Sequence, residues 1–587
     1  MPLAAVALLI AWAGAQTSAD DVILRAMRDE LARSGSLRLA GLDKPYYVEY
    51  TIEDANALSI TASLGALITA HEAPVRLQDV KVRVGDYAFD NTNHVYSDYY
   101  SGSRYDSEHL PLDNSYAAIR DVLWLATDRA YKGAEEAIAR KRSSLKNVNS
   151  AEQLPDYTKV QPVQAILPIH RTPADETAWK NRVSKLSRIF ASFPQVLSSN
   201  LEFQSIQTTT YFANSEGTVI RMPDNVAYLR VRAHGQAPDG MQLRDAEVYQ
   251  AANAGDLPAE SELHRGITAI AEEIGSLAKA PMGDGYSGPV LFEPHAAAQL
   301  FGQLLGDNLK PTRKPVADAG RPAPYLPSEL ENKVGSRILP DWLDVVDDPT
   351  QTEWHGQALF GHYLYDTEGV SPKPLLLIEK GVLKTFPLTR TPVLKGFESS
   401  NGRARMRGRF GAAAPGFGNL FVRASQAVPP AELKKKLIDL CRARNKPYGM
   451  LVRKLDYPSS ASIAELQKSS SAMAQSGGGT RPVSLPLLVY RVYPDGREEL
   501  VRGLRFRGLS TRSFKDISGA SEDSQVFNFM DSPYPFALMG VGGFVANSSV
   551  IAPGLLFEEL EFEPTQEDLP KLPIVPPPSM AGLVGNH

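Results

Sequence analysis

Two histidines seven residues apart, His355 and His362, stand just upstream of Asp366 and Glu368, and Glu293 and His295 flank a single proline. Imidazole and carboxylate are the donor types that zinc and other transition metals take, so Glu293, His295, Asp307, His355 and His362 are the candidate metal ligands. A helix would put His355 and His362 on one face, but Gly356, Gly361 and Gly369 favour strand and turn there. Glu293 and His295 open a helical segment, where the dipole welcomes the carboxylate and disfavours a cation, so capping and surface exposure compete with metal binding. A second pattern is the alternation of Arg403, Arg405, Arg407 and Arg409 with Ala, Met and Gly. In an extended strand all four point the same way and could clamp a peptide carboxylate; the alternative is a solvated, glycine-flanked loop paired with nearby acids.

Tyr96, Tyr99, Tyr100 and Tyr105 cluster with Asp98 and Asp106, which suits either a peptide- or glycan-binding loop or a partly buried tyrosine cluster. The one cysteine, Cys441, excludes an intramolecular disulfide. It follows Leu433, Leu437 and Ile438 at helical spacing, which predicts a packed thiol; a nucleophile would need a neighbouring His or activating charge that the sequence does not identify. No Gly-rich phosphate loop, Gly-x-Ser-x-Gly elbow or Cys-x-x-Cys pair is present.

The elements that must position these residues are mixed. Helices are expected over 21–32, 115–144, 174–192, 260–278, 294–309 and 431–443. Strands are expected over 46–52, 59–70, 80–89, 226–233 and 289–292, and hairpins over 208–221, 375–384 and 487–501. Residues 469–480 read as a flexible loop. No regular βαβ alternation appears, so the fold class is α+β, two domains of mixed sheets with packed helices. The breaker run 281–288 marks the boundary, giving an N-terminal domain over 17–285, a C-terminal domain over 286–563 and a Pro-rich tail over 564–587. With 43% hydrophobic and 22% charged residues the chain is an ordinary globular one. A net charge of −5 over 587 residues lacks the basic excess of a nucleic-acid binder. Residues 2–13 form an apolar run too short to span a bilayer and end in small residues, so 1–16 reads as a signal peptide cleaved near Ala15 or Gln16, although no Lys or Arg precedes the run. The mature chain is then expected to be periplasmic or secreted, with no membrane span.

An ordered set of segments carries a resemblance. Gly288-Pro289-Val290-Leu291-Phe292 leads into Ala296-Ala297-Ala298, and Gly335-Ser336-Arg337-Ile338-Leu339-Pro340 and Val345-Val346-Asp347-Asp348-Pro349 follow. Then come Asp366-Thr367-Glu368-Gly369-Val370, the run Leu377 to Lys384, and Ser399-Ser400-Asn401-Gly402-Arg403-Ala404-Arg405. In order and spacing the set resembles the TldD/PmbA family of metallopeptidases, historically described as modulators of DNA gyrase. Val82-Arg83-Val84-Gly85-Asp86-Tyr87 and Asp90-Asn91-Thr92 are similar to exported members of that family.

The resemblance implies specific roles. Catalytic members place a His-Glu-x-x-x-His motif on the helix after the Gly-Pro-Val-Leu strand, and a distant Cys completes a zinc site. Here those positions fall on Gly302, Gln303 and Asp307, and Cys441 lies in a different segment from the family's ligand. Glycine has no donor and an amide oxygen is a poor zinc ligand, so the chain resembles the TldE/PmbA-type subunit without the zinc motif. Ala297, Leu300, Phe301, Leu304 and Leu309 form an apolar stripe on this helix, widened by Leu305, which suits packing. The family match makes Asn401, Arg403 and Arg405 the substrate-binding candidates. The expected function is a non-catalytic subunit or scaffold of a peptide-degrading assembly, as a homodimer or with a catalytic TldD-type partner, and without a cofactor. Two alternatives are an active metallopeptidase with a rearranged zinc site and a secreted peptide- or glycan-binding protein.

Overall fold

Apolar and polar residues alternate through Pro45–Ser63 and again through Ala66–Val84, and each run forms one 19-residue strand, β1 and β2. The molecule is described here by a computed structural model covering residues 21–36, 41–97, 110–146, 154–318, 320, 323, 325, 327–456, 483–531 and 546–565. The expected leader, most of the Tyr-rich segment, the loop 469–480 and nearly all of the Pro-rich tail lie outside the described residues. The strands expected over 46–52, 59–70 and 80–89 are parts of the single β1–β2 hairpin, and the second of them runs through its turn. Leu64 and Gly65 both adopt positive φ there, 50° and 89°, the geometry that lets a tight turn follow the strand twist. Asn56, opposite Pro74, donates diagonally across the hairpin to Glu72 at 2.7 Å.

β1 also pairs with β4 (Ser198–Asn214) after the short β3 (Gln164–Ile166). With β5 (Val219–Pro223), β6 (Val226–Gln236) and β7 (Gln242–Ala251) they make a seven-stranded sheet. Its helices are α1 (Val22–Ser34), α2 (Tyr116–Leu145), α3 (Glu176–Ser187) and α4 (Glu260–Lys279). Asp21 and Ser115 cap the first two through the amides of Leu24 and Ala118. Even-numbered β1 residues set the layering, since strand side chains alternate between faces. Val48, Tyr50 and Ile52 pack with α1 and α2, and Leu58, Ile60 and Ala62 pack with α3 and α4. All four helices therefore cover one face. Tyr47 and Glu49 are on the other, polar face, which meets the second half of the chain.

The second half begins with β8 (Tyr286–Phe292) and α5 (Pro294–Leu300). Next come β9 (Leu343–Asp347), β10 (Glu353–Trp354), β11 (Gln357–Ala358), β12 (Leu375–Glu379) and β13 (Val382–Leu383). β14 (Ala404–Arg407), β15 (Ala413–Pro415), β16 (Asn419–Ala424), α6 (Pro430–Ala443) and β17 (Gly449–Leu455) follow. The last strands are β18 (Pro486–Val492), β19 (Glu498–Val501), β20 (Leu504–Arg507), β21 (Ile517–Asp531) and β22 (Ala546–Pro564). Eleven of these form one mixed sheet in which β8 runs parallel to β17 and antiparallel to β22. Alternation along β8 fixes two layers: Val290 and Phe292 pack with α5, while Leu291 packs with Leu433, Leu437 and Cys441 of α6. Cys441 is thus a packed thiol, and burial pushes its pKa up to about 11. The fold class is α+β.

A buried polar seam joins the two sheets. Arg390, with no exposed surface, donates to Glu216 Oε1 at 2.6 Å and to the Thr158 carbonyl at 2.8 Å, while its amide donates to Glu368 Oε2 at 2.7 Å. The segment 366–370 is the turn beneath it: Asp366 Oδ1 accepts from the amides of Glu368 and Val370, and Oδ2 accepts from that of Ala404. Among the described residues no helix is long and apolar enough to cross a membrane.

Candidate functional site

The helix that follows β8 is continuous from Pro294 to Asn308, but its middle is a π turn over Phe301–Leu305. Apolar spacing predicted the helix and not the turn. A π turn widens one coil and re-aims the side chains on it, and here it holds Gly302 and Gln303. Gly306 is needed one turn later because Phe417 packs against it; a Cβ there would sit 2.6 Å from the Phe417 ring. The apolar stripe does what its spacing promised, since Ala297, Leu300, Phe301, Leu304 and Leu309 are all buried in the main core of the second sheet.

Each of the three positions on which the resemblance places the motif is committed elsewhere. A Cβ on Gly302 would touch Phe529 and Val550 at 3.5 Å, so this position faces the apolar underside of the sheet. Gln303 is buried, and its Oε1 accepts from the Ser484 amide at 2.8 Å. One turn earlier Gln299 Oε1 accepts from the Leu455 amide at 2.7 Å, so the two glutamines hold both sides of the β17–β18 connection. Asp307 takes Lys310 Nζ at 3.2 Å, and the same buried ammonium is 2.6 Å from Asp531. A glycine, a spent amide and a carboxylate already neutralised by lysine do not fit a zinc ion, which needs three or four free imidazole, thiolate or carboxylate donors. Lys310→Met is expected to lower the unfolding free energy by about 2–3 kcal/mol, because Asp531 loses the cation that offsets its desolvation. Urea denaturation followed by circular dichroism measures this, and an unshifted midpoint would show that the ammonium contributes nothing.

The remaining candidate ligands are dispersed. Glu293 occupies the cap position of α5 without making a cap bond, and receives Arg453 Nε at 2.9 Å instead. His355 sits at positive φ on the exposed turn between β10 and β11, beside Trp354, and His362 shares a hydrogen bond with the Pro349 carbonyl at 2.8 Å through Nδ1. Among the described residues no three His, Cys, Asp or Glu side chains converge as a metal site.

The arginine row also separates. Arg403 lies before the strand and is fully buried, bonded to Asp347 at 2.9 Å. β14 ends at Arg407, so only Arg405 and Arg407 share a strand face. Arg405 stacks on Tyr363 at 3.7 Å and donates to the Asn547 carbonyl, Arg407 meets Asp79 at 3.5 Å, and Arg409 lies over Phe410 beyond the strand. Asn401 bridges backbone groups of Leu388 and Phe386, both at 2.8 Å. These residues brace the loops of the second half. Of the tyrosine cluster Tyr96 is described, and it donates to Asp318 at 3.3 Å.

Sequence reasoning missed a cleft between the sheets. It opens beside β7, α5, β17 and β21 and brings together Asp245, Glu247, His295, Lys454 and Asp456. Lys454 Nζ stands 2.7 Å from Asp245, 3.6 Å from Glu247 and 3.8 Å from Glu273 on α4. Arg244 pairs with Asp456. Burial alone would lower the Lys454 pKa, but the carboxylates outweigh it and raise it. Burial, then the hydrogen bond with Asp245 and its charge, push Glu273 up to about 9, so it is protonated at neutral pH. Burial holds His295 neutral. These groups come from separate segments around residues 245, 273, 295 and 455, so no local spacing could have revealed them together. Strongly shifted acids and bases meeting at a cleft are a mark of functional sites.

Comparison with known proteins agrees with this architecture. Residues 285–452 match the model of the PmbA/TldA metallopeptidase C-terminal domain. A metalloprotease of Methanothermobacter thermautotrophicus is 26% identical over 237 residues, which are 40% of this chain and 48% of that protein. The chain thus spans about half the length of that curated relative. TldE from Thermococcus kodakarensis superposes with a TM-score of 0.56 at 14% identity, over 92% of this chain and 100% of that one. A Thermotoga maritima protein described as a candidate modulator of DNA gyrase gives 0.54 at 14% identity, over 92% and 99%. At these identities the two structures establish the fold alone. Residues 285–452 thus carry a PmbA/TldA metallopeptidase C-terminal domain, on the same ordered segments from Gly288 to Arg405, and over 92% of its length the chain has the fold of the TldE structure.

Proposed function

We propose that this chain is an exported, non-catalytic member of its family, acting as a subunit or scaffold of a peptide-degrading assembly. One observation carries the reading: on the helix after β8, Gly302 faces Phe529 and Val550, Gln303 holds the Ser484 amide and Asp307 holds Lys310. A peptidase of the metal-dependent kind needs a Lewis acid with an open position for water, and this helix offers neither the donors nor the space for one. The fold is retained around the altered helix, which suits a protein selected for association rather than hydrolysis. Export rests on the apolar run over residues 2–13 and its small-residue end. Its partner on this reading is a second copy or a catalytic homologue with an intact motif.

The test is to purify the chain from the producing cells, determine zinc by mass spectrometry and assay peptide cleavage with and without a chelator. Substoichiometric zinc and no cleavage by the isolated chain are expected, with cleavage appearing when a metal-bearing homologue co-purifies. Stoichiometric zinc with chelator-sensitive hydrolysis by the isolated chain overturns the proposal.

A further inference from the structure

Alternate residues of β6 build a basic row on the face of the first sheet that its helices leave free. Leu229, Val231 and Ala233 pack with α3 and α4, so Tyr228, Arg230 and Arg232 stand together on the other, polar face. The register sets Glu202 of β4 opposite Arg230, and it sets Gln204 of β4 and Gln250 of β7 opposite Tyr228. Both arginines converge on one carboxylate. Glu202 Oε2 lies 3.5 Å from Arg230 Nη1 and 3.3 Å from Arg232 Nη2, while its Oε1 accepts from Gln204 at 2.9 Å. Neither contact is the close, two-pronged pairing by which a guanidinium and a carboxylate satisfy each other. Burial and then the charge of Arg230 lower the pKa of Arg232, so the pair repels and Glu202 does not offset it. His234, next along the face, is held neutral by burial and then by Arg244 and Arg232, and Arg244 is paired with Asp456.

The row is also short of hydrogen-bond partners. Tyr228 is 7% exposed and Arg230 8%. Nε of both arginines and both ends of the Gln250 amide are buried with no partner. Among the described residues the Tyr228 hydroxyl makes no hydrogen bond, and its ring lies under Arg230 at 5.2 Å. Buried polar side chains are as a rule satisfied, so four unmet ones on adjoining strands of one face outline the contacts of a ligand. Arg232 and Glu202 keep 19% and 20% of their side-chain surfaces exposed, which leaves the row open to solvent at that end.

The unmet groups define the ligand's chemistry. Two guanidiniums over one carboxylate call for a further anion, and a planar carboxylate can accept from both. Gln250 offers a donor and an acceptor side by side, the complement of a peptide group. Neighbours on one strand face are roughly 7 Å apart, so Gln250 is within reach of the last peptide bonds of a chain whose carboxylate sits on the arginines. An inorganic anion would leave the Gln250 amide unmet.

We propose that this row binds the C-terminal end of a short peptide, its carboxylate held by Arg230 and Arg232 and a neighbouring peptide group by Gln250, with the Tyr228 hydroxyl as a further donor. The proposal rests on the reading that the chain handles peptides, and it assigns the end of the peptide that is recognised. It involves binding alone, with no bond made or broken.

The experiment is titration calorimetry of the full chain at neutral pH with N-acetyl-trialanine as the free acid, with its C-terminal amide, and with N-acetyl-Ala-Asp-Ala amide. The free acid is expected to bind at least tenfold more tightly than either amide. Arg232→Gln is expected to weaken free-acid binding at least tenfold without lowering the thermal unfolding midpoint, because it removes one of two repelling charges. Gln250→Leu is expected to weaken it about fivefold, again without loss of stability, since it breaks no hydrogen bond. Equal binding of the free acid and its amide, no binding of either up to millimolar concentration, or free-acid binding untouched by Arg232→Gln each overturns the proposal. Equally tight binding of the Asp-containing amide assigns the row to acidic side chains and overturns it as well. The comparison of acid with amide on the unaltered chain decides the matter even if a variant does not fold. Failure of this binding while a catalytic homologue still co-purifies removes the basic row alone; binding without any co-purifying partner removes the subunit reading alone.

Discussion

Replacing Arg403 with alanine will lower the unfolding free energy by about 3–5 kcal/mol, the cost of breaking a buried ion pair from one side. Arg403 has no exposed surface, and neither does its partner Asp347. The guanidinium donates through Nε to Asp347 Oδ2 at 2.9 Å, through Nη1 to the Asn401 carbonyl at 2.6 Å and through Nη2 to the Lys373 carbonyl at 2.7 Å. Alanine leaves a carboxylate and three carbonyls, the third being that of Asp347 itself at 3.1 Å, without their donor. Asp347 keeps one bond, from the Gly418 amide at 2.8 Å, which does not compensate for a full charge. The aspartate, already shifted upward by burial, can relieve part of the penalty by taking a proton. The loss relative to the wild type should therefore shrink as the pH falls toward 4. Arg403→Lys should rescue little, because one ammonium cannot address four separated acceptors. Urea unfolding between pH 4 and 8 provides both readings. A variant within 1 kcal/mol of wild type at pH 8, roughly the size of an ordinary surface change, would show that this arginine is available for ligand and not committed to the fold.

The second large effect is the pH dependence carried by the Asp366–Glu368 turn. Burial and then the neighbouring Glu368 push Asp366 up to about 7, and Glu368 moves in the same direction. An unfolded aspartate titrates near 4. Between those values the native state binds more protons than the unfolded one, so the contribution is complete below about pH 4 and is lost as the pH rises through 7. Linkage sets the size at roughly 4 kcal/mol at most, given about 1.4 kcal/mol per decade of affinity. Because Arg390 donates its amide to Glu368 and its side chain to Glu216, the loosening should begin where the two sheets meet. Asp366→Asn should flatten the slope of stability against pH over this interval, whatever it does to stability at any one pH. Chemical unfolding curves across pH 4–8 measure that slope. An unaltered slope in the variant would mean that Asp366 titrates in the native state as it does in the unfolded chain.

Much of the local structure was legible. Asp21 and Ser115 announce helix starts because their side chains satisfy amides that an opening turn leaves free. Gly217 and Gly496 announce hairpins because their turns need positive φ, 104° and 87°. Strand β22 was not legible: most of its residues are buried on both faces, which erases the alternating pattern that marks a half-exposed strand. Its partner β8 lies far upstream, so its pairing is a property of the whole chain. The arginine row failed for a different reason. Equal spacing puts side chains on one face only where the strand persists, and Arg403 and Arg409 fall outside β14.

The amino-acid sequence alone determined the resemblance of the 285–452 domain, the α+β class and which side chains stand at 302, 303 and 307, because these depend on residue type and order. Tertiary structure decided where those residues point. It turned Gly302 toward Phe529, gave Asp307 a lysine, drew Arg403 into the interior and brought Lys454 from β17 among carboxylates of β7 and α4. The physical reason is that desolvation and charge pairing act through space over a few ångströms, whereas the partners they select are separated by as many as 221 residues of chain.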